Sequence, residues 1–410
     1  MGPVMAVGSF PLVNSEDVAW FRDQHEAARG AAAALGRRIG LGEQRTAEMV
    51  IAVAELAANA TKHAVDGSVL LRVLRDEAVA GVEVVVVDSG PGMADVPAAL
   101  RDGMSTAGTL GIGLGAIRRL ADTFDIHSQP GLGTVQLARF WPRPLPPSVA
   151  RESLVAGITR PISGEQVCGD AWAARADTNT AAPSAGQADE MRATPPDSPT
   201  RPSWSALTGT QPFGGKNATL RPSYARSGVS GRSSMPVRAA VAGPGQGFLV
   251  MSCDGLGHGP LASLAAQNAV HAFRTGDART PEQAIEQIHR ALRGTRGAAL
   301  AVARIEPDGR LLFCGVGNIT AAVVTTETRS TLISHPGIVG HQMHQLRTYE
   351  HHLPADGILV MHSDGLSERW GPTDLAGLLH HPPALIATAL LRLVGTRRDD
   401  ASAVIAKMAR

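Results

Sequence analysis

The sequence predicts an α/β (α+β) chain of two domains, and three observations carry that reading. Two long stretches of helical spacing lead into a pair of apolar strands, the second almost all valine. A proline-rich joint, Trp141-Pro142-Arg143-Pro144-Leu145-Pro146-Pro147, then stiffens the chain. Beyond it a second series of apolar runs ends repeatedly on aspartate, with helical patterns between the runs. The length of 410 residues suits two to three domains.

Composition narrows the function classes. Hydrophobic content of 44% is enough for sizeable cores, and with only 4% aromatics those cores must be built from Ala, Val, Leu and Ile. A net charge of +1 offers no footprint for nucleic acid. Cys168, Cys253 and Cys314 are widely spaced with no CxxC, which reads as reduced thiols in a cytoplasmic protein. The first twenty residues lack a basic stretch followed by an apolar run, so no signal peptide is expected. No stretch is apolar for long enough to span a bilayer, and no membrane partner is expected.

In the first domain, Asp17 to Leu35 has helical spacing, with Ser15 or Asn14 as its cap. Gly40-Leu41-Gly42 breaks that pattern. Glu43 to Ala64 reads as a second helix, on which Glu55 and Asn59 stand at i and i+4 and so share a face. A strand pair follows, Val69 to Leu74 and Val82 to Val87; the valine run should be buried on both faces. It ends in Asp88-Ser89-Gly90-Pro91-Gly92-Met93. A glycine-rich segment turns into a helix near Leu114, and strands at Phe124 to Gln129 and Gly133 to Leu137 close the domain.

These residue types suit phosphate chemistry. A glycine-rich loop entering a helix offers free backbone N–H groups to phosphates. Asn59 can hold a magnesium ion that bridges them. Glu55, one turn earlier, can orient or deprotonate a hydroxyl nucleophile. Asp88 can accept a hydrogen bond from an adenine amino group. Each residue taken singly also has an ordinary solvated or structural reading; the order and spacing of the set make it a candidate site.

Asn59, DSGPG at Asp88 to Gly92, the GTLGIGLG lid and Gly133-Thr134 resemble the Bergerat-type ATPases of the GHKL superfamily, and most of residues 10 to 142 resemble the anti-sigma serine kinases of the RsbT type. The resemblance implies an α/β sandwich that binds ATP and Mg2+ and transfers the γ-phosphate to a serine or threonine of a STAS-domain protein. It implies Glu55 as catalytic base and Asn59 as the magnesium residue. Asp88 would contact adenine with Thr134 in support, and Gly90, Gly92, Gly111 and Gly113 would shape the pocket and lid.

The linker and domain entry occupy residues 143–160, and the second domain 161–410. Within it, residues 176–238 are rich in Ala, Thr, Ser, Pro, Gly and Arg and poor in large aliphatics, so a disordered insertion is expected there. Asp170 lies on a short strand. Phe248 to Met251 is an apolar strand that stops at Asp254-Gly255, followed by a Gly-rich turn with His258. Helices are expected from Leu261 to Thr275 and from Pro281 to Arg293. Strands are expected at Ala298 to Ile305, at Arg310 to Val316 paired with Ile319 to Thr325 around Gly317-Asn318, at Gly357 to His362, and at Ala403 to Ala406. Asp170, Asp254, Asp364 and Asp399 all fall at strand edges. Carboxylates that converge repel one another unless cations sit between them. Two metal ions would relieve that repulsion and activate water for attack on a phosphoryl group. Asp400 rivals Asp399, because adjacent carboxylates cannot be ranked from spacing.

The order GD, DGLGHG, GVGN, SDGL, RDDAS resembles the PPM/PP2C-type serine/threonine phosphatases of the SpoIIE/RsbX branch, over about residues 150–176 and 240–410. The resemblance implies a PP2C-like αββα sandwich with two Mn2+ (or Mg2+) ions. Asp170 and Asp254 would lie at the metal pair, Asp254 being essential to catalysis. The Gly255 carbonyl would be a backbone ligand, and Asp364 and Asp399 would complete one metal site. Arg160 is the candidate for contacting phosphate near the domain start. His258 and His362 read as supporting or packing residues, and Cys253 should face the core. Together the two resemblances imply a bifunctional regulator of a partner-switching pathway, whose partner is a phosphorylated STAS-domain antagonist or a stress-module scaffold protein. The alternative makes the first domain a nucleotide-gated docking module. The oligomeric state stays open, a homodimer included.

Overall fold

The computed structural model describes residues 12–76, 79–101, 113–177 and 247–408. The expected disordered insertion starts too early, since Ala176 is the last residue of strand Asp170–Ala176; from residue 178 it lies outside the described residues, as does most of the glycine-rich lid, Gly111 included.

The first domain is built from β1 (Asn14–Phe21), α1 (Ala27–Ile39), α2 (Glu43–His63), β2 (Ser68–Arg75), β3 (Ala80–Asp88), α3 (Val96–Ala99), α4 (Gly113–Leu120), β4 (Thr123–Gln129) and β5 (Gly133–Phe140). Its strands form one antiparallel sheet in the order β1-β2-β3-β5-β4. Strand side chains alternate between faces. One face, with Val69, Leu71, Val84, Val86 and Phe140, packs against the apolar stripe of α2, Met49, Val53, Leu56 and Ala60. The other face carries Leu70, Val85, Val87, Val135 and Leu137, all buried.

The second domain contains β6 (Val155–Arg160), β7 (Asp170–Ala176), β8 (Phe248–Gly255), α5 (Pro260–Thr275), α6 (Pro281–Ala291), β9 (Ala298–Ile305), β10 (Arg310–Val316), β11 (Thr320–Val324), β12 (Arg329–Leu332), β13 (Ser334–His335), β14 (Tyr349–His352), β15 (Ile358–His362), α7 (Pro372–Leu375), α8 (Pro383–Val394) and β16 (Ala401–Lys407). Two sheets face each other, β13-β10-β9-β8-β7 with β14 beside β10, and β12-β11-β15-β16-β6. Trp172, Val250, Phe313, Val323, Leu359 and Met361 fill the space between them. Helices α5 and α6 cover the first sheet. Helix α8 covers the second, and its far side packs on the second face of the first domain's sheet. The fold is thus an α/β sandwich joined to an αββα sandwich through one shared apolar layer.

Three expectations change. The helix expected from Asp17 to Leu35 is a strand followed by a helix that begins only at Ala27, so Ser15 and Asn14 cap nothing. Tertiary contacts outweigh the local pattern. The Asp17 carboxylate accepts from Arg72 and from the Thr159 N–H (2.6 Å) and hydroxyl (2.7 Å), while Trp20 Nε1 donates to the Thr159 carbonyl at 2.9 Å. The strands expected to pair around Gly317-Asn318 lie in different sheets. β10 pairs with β9 and β11 with β15, and Gly317 (φ +92°) lets the chain cross between them. Finally, the stretch read as domain entry contains β6, an edge strand that pairs with β16.

Candidate functional site

On the nucleotide side, Glu55 and Asn59 are half-buried on α2. Asp88 ends β3 directly opposite Thr134 on β5. Its Oδ1 accepts the Gly90 N–H at 2.7 Å. Burial raises the Asp88 pKa, opposed by the Gly90 N–H, by the Arg392 charge and by the Thr134 backbone. Thr134 Oγ1 lies 2.9 Å from Ser128 Oγ, which accepts the Met93 N–H at 2.8 Å. Gly92 adopts φ +68°, and a side chain there would sit 2.1 Å from the Gln129 carbonyl, so the turn requires glycine. Gly113 opens α4. The end of α2 is tied to this loop by the Ser89 N–H, which donates to Val65 O at 2.8 Å. Asp88, Gly90, Gly92 and Thr134 therefore meet. Among the described residues no hydrogen bond joins Glu55 or Asn59 to them.

The second cluster draws on both sheets. Asp170 on β7 stands opposite Asp254 on β8. Asp364 follows β15, and Asp399 precedes β16. Ser363 Oγ donates to Asp170 Oδ2 at 2.5 Å and accepts the Ser402 N–H at 2.9 Å, which ties the sheets together at the cluster. Asp170 Oδ1 is buried with no hydrogen-bond partner among the described residues. Burial pushes Asp170 up to about 7, against the hydrogen bond from Ser363. Asp254 is pushed up to about 9 by burial and then by the charges of Asp170, Asp364 and Asp399. Asp364 is raised by burial and by Asp399, opposed by Asn318 Nδ2, which donates to its Oδ2 at 2.6 Å.

Each of the four carboxylates thus takes part in the repulsion. Among the described residues no three His, Cys, Asp or Glu side chains already close to ligating distance. An orphaned buried carboxylate oxygen among mutually repelling carboxylates nonetheless fits a hard divalent cation, which takes oxygen ligands and draws such groups inward. Gly255 is buried beside Asp254; a side chain there would sit 2.4 Å from Ala262 O.

Asp400 and Asp399 separate cleanly. Asp400 is 3% exposed, and its two oxygens accept the N–H groups of Ile162 and Gly169, each at 2.7 Å. Asp399 is exposed at the cluster. His362 is buried, with Nδ1 2.9 Å from Ser363 O and Nε2 accepting from Trp370, so it packs behind the centre. His258 is exposed beside Glu165 at 3.4 Å. Cys253 faces the core. Arg160 donates to Thr396 O. Spacing alone did not reveal Ser363 or Asn318 as partners of the carboxylates, although both stand inside the SDGL and GVGN motifs.

Residues 22–139 match the histidine kinase-like ATPase domain family, and residues 244–409 match the Stage II sporulation protein E (SpoIIE) family. The chain is 34% identical over 117 residues to the serine/threonine-protein kinase RsbT of Bacillus subtilis (strain 168), covering 28% of this chain and 88% of that protein. Among solved structures, the PP2C phosphatase domain with a regulatory fragment of SpoIIE from Bacillus subtilis is 13% identical, with a TM-score of 0.39 over 80% of this chain and 79% of the other. RsbX with magnesium is 15% identical, with a TM-score of 0.39 over 62% of this chain and 94% of the other.

Proposed function

Since this chain belongs, through its first domain, to the RsbT family of histidine kinase-like ATPases and joins that domain to a SpoIIE-type PP2C domain, we propose that it adds and removes phosphate on protein serine or threonine. What supports the hydrolytic half is Asp170 standing opposite Asp254, with one Asp170 oxygen orphaned among the described residues and the charges of Asp364 and Asp399 felt at Asp254. Asp170, Asp254, the Gly255 carbonyl, Asp364 and Asp399 would hold two Mn2+ or Mg2+ ions. Such a pair supplies Lewis acidity that activates water and stabilises charge on a transferring phosphoryl group. Ser363 fixes the Asp170 carboxylate, Asn318 orients Asp364, and Asp400 holds the two backbone segments beside the cluster.

The transferase half rests on the Asp88, Gly90, Gly92 and Thr134 constellation and on Glu55 and Asn59 along α2. When ATP and its magnesium are bound, Asp88 would accept from adenine, Asn59 would hold the ion, and Glu55 would take the proton of the attacking hydroxyl. The substrate is a STAS-domain protein of a partner-switching module. The boundary between the domains falls in residues 143–154, because β6 already belongs to the second domain's sheet.

A second reading has its own support: Arg392 of α8 acts on Asp88, so nucleotide in the first domain would bias the second without phosphoryl transfer. Full-length protein separates the two. With a phosphorylated STAS-domain protein and Mn2+, phosphate release is expected, and Asp254→Asn reduces it at least ~100-fold. Unchanged turnover at unchanged folding and metal content removes the hydrolytic reading. In the Asp254→Asn background, labelled ATP is expected to label the partner, and Asn59→Ala abolishes the label. If ATP changes the dephosphorylation rate yet transfers no label, the docking reading replaces the kinase.

A further inference from the structure

A cleft of about 310 Å3 opens at the C-terminal end of α2, where Arg397 of the second domain meets the first. Arg22, Asp23, His25, Thr61, Asp66 and Ser68 line it from the first domain, and Arg397 lines it from the second. Arg22 is anchored there by donating to Pro161 O at 3.2 Å, across the domain boundary. Arg160 stands behind, tethered to Thr396 O, the residue before Arg397. Its guanidinium is pushed down to about 10 by burial and then by the charges of Arg22 and Arg397, and Arg22 is lowered by burial and by Arg397. Three guanidinium groups therefore converge. Among the described residues two carboxylates answer them. Asp66 lies 3.2 Å from Arg397, with both side chains more than half exposed (66% and 58%), and Asp23 attracts Arg22. Within the lining Arg22 and Arg397 are balanced by Asp23 and Asp66, and Arg160 behind them makes the sum positive, so a compact dianion would meet charge-assisted donors.

We propose that this cleft is a phosphoryl-binding site, formed jointly by Arg22 and Arg397, that takes a phosphate dianion at the junction of the domains. The dianion would come either as free phosphate or as the phosphoserine of a docked protein. The site goes beyond the two activities proposed above and does not depend on either. Arg397 lies on the loop that runs into Asp399 and Asp400, so an occupied cleft would fix that loop from its far side.

Calorimetric titration of the full-length chain in EDTA, with no metal and no turnover, tests the site. Inorganic phosphate is expected to bind saturably. Arg22→Gln and Arg397→Gln should each weaken binding about tenfold or more, the loss of one charge-assisted hydrogen bond. Asp66→Asn, which frees Arg397, should retain or tighten it. A phosphoserine peptide that binds while its unphosphorylated form does not assigns the source to a protein. Binding of phosphate alone assigns it to the free ion. Arg397 is exposed, so its variant remains informative if Arg22→Gln unfolds the chain. No saturable binding, or equal affinity in wild type and Arg397→Gln, overturns the proposal.

Discussion

Asp399 and Asp400 are adjacent and chemically identical, yet the fold gives them different surroundings. Asp400 accepts two backbone N–H groups in the interior, from Ile162 and Gly169, more than 200 residues away in sequence. Asp400→Asn should therefore cost about 1.5–3 kcal/mol of stability in urea unfolding. Asp399→Asn should change stability by less than about 0.5 kcal/mol while weakening Mn2+ binding and turnover. Equal destabilisation by the two would remove the distinction. This choice was illegible in the sequence because it is made by Ile162 and Gly169, which no local pattern links to RDDAS. A pH effect belongs to the same scale. Asp170 and Asp254 are held at about 7 and about 9 in the folded chain, above the ordinary carboxylate value near 4. The folded metal-free protein thus binds more protons than the unfolded chain between those values, and its stability falls as pH rises through them. Mn2+ replaces those protons, so its stabilising effect should be larger at about pH 8 than at about pH 5. Urea midpoints measured with EDTA and with Mn2+ at both pH values check this; an equal shift at both would contradict it.

At the scale of elements, the reading of the sequence succeeded where a segment's own pattern decides its structure. Helix α2, the β2–β3 pair, β9 and β15 fall where apolar period and glycine breaks put them. It failed where a distant partner decides. β1 carries helix-compatible spacing but is drawn onto β2 by Arg72, whose guanidinium also binds Glu83 at 2.6 Å and the carbonyl of Gly157 at 2.5 Å. Glu83 in turn accepts from Arg139 at 2.7 Å, and Arg139 from its other end holds Glu152 at 2.6 Å. This buried network pins β1, the sheet and β6 to one another. Removing Arg72 takes from Asp17 its one ion-pair partner among the described residues and leaves buried Glu83 with Arg139 alone. Arg72→Ala should therefore cost about 3–5 kcal/mol in denaturant unfolding. A loss under about 1 kcal/mol would mean that water reaches the network.

For the whole molecule, the decisive layer is the one that both domains share. The valine run of β3 correctly signalled burial on two faces, but nothing near it says what lies on the second. The answer is α8, some three hundred residues downstream and apolar on nearly every side, as a helix between two sheets must be. Leu70, Val85, Val87, Val135 and Leu137 have no solvent face, so neither domain can shed the other without exposing them. Two consequences follow from one continuous core. Full-length protein should unfold in a single transition, in which nucleotide binding and phosphatase activity are lost together. Leu137→Ala, a cavity in the first domain, should then destabilise the phosphatase by about 2–5 kcal/mol although it touches none of the aspartates. Likewise, ATP at about a hundred times its Kd should add roughly 2.7 kcal/mol, visible as protection of the phosphatase against thermal inactivation. Two separate melting transitions, with phosphatase inactivation indifferent to both ATP and Leu137→Ala, would show that the shared layer does not couple the domains.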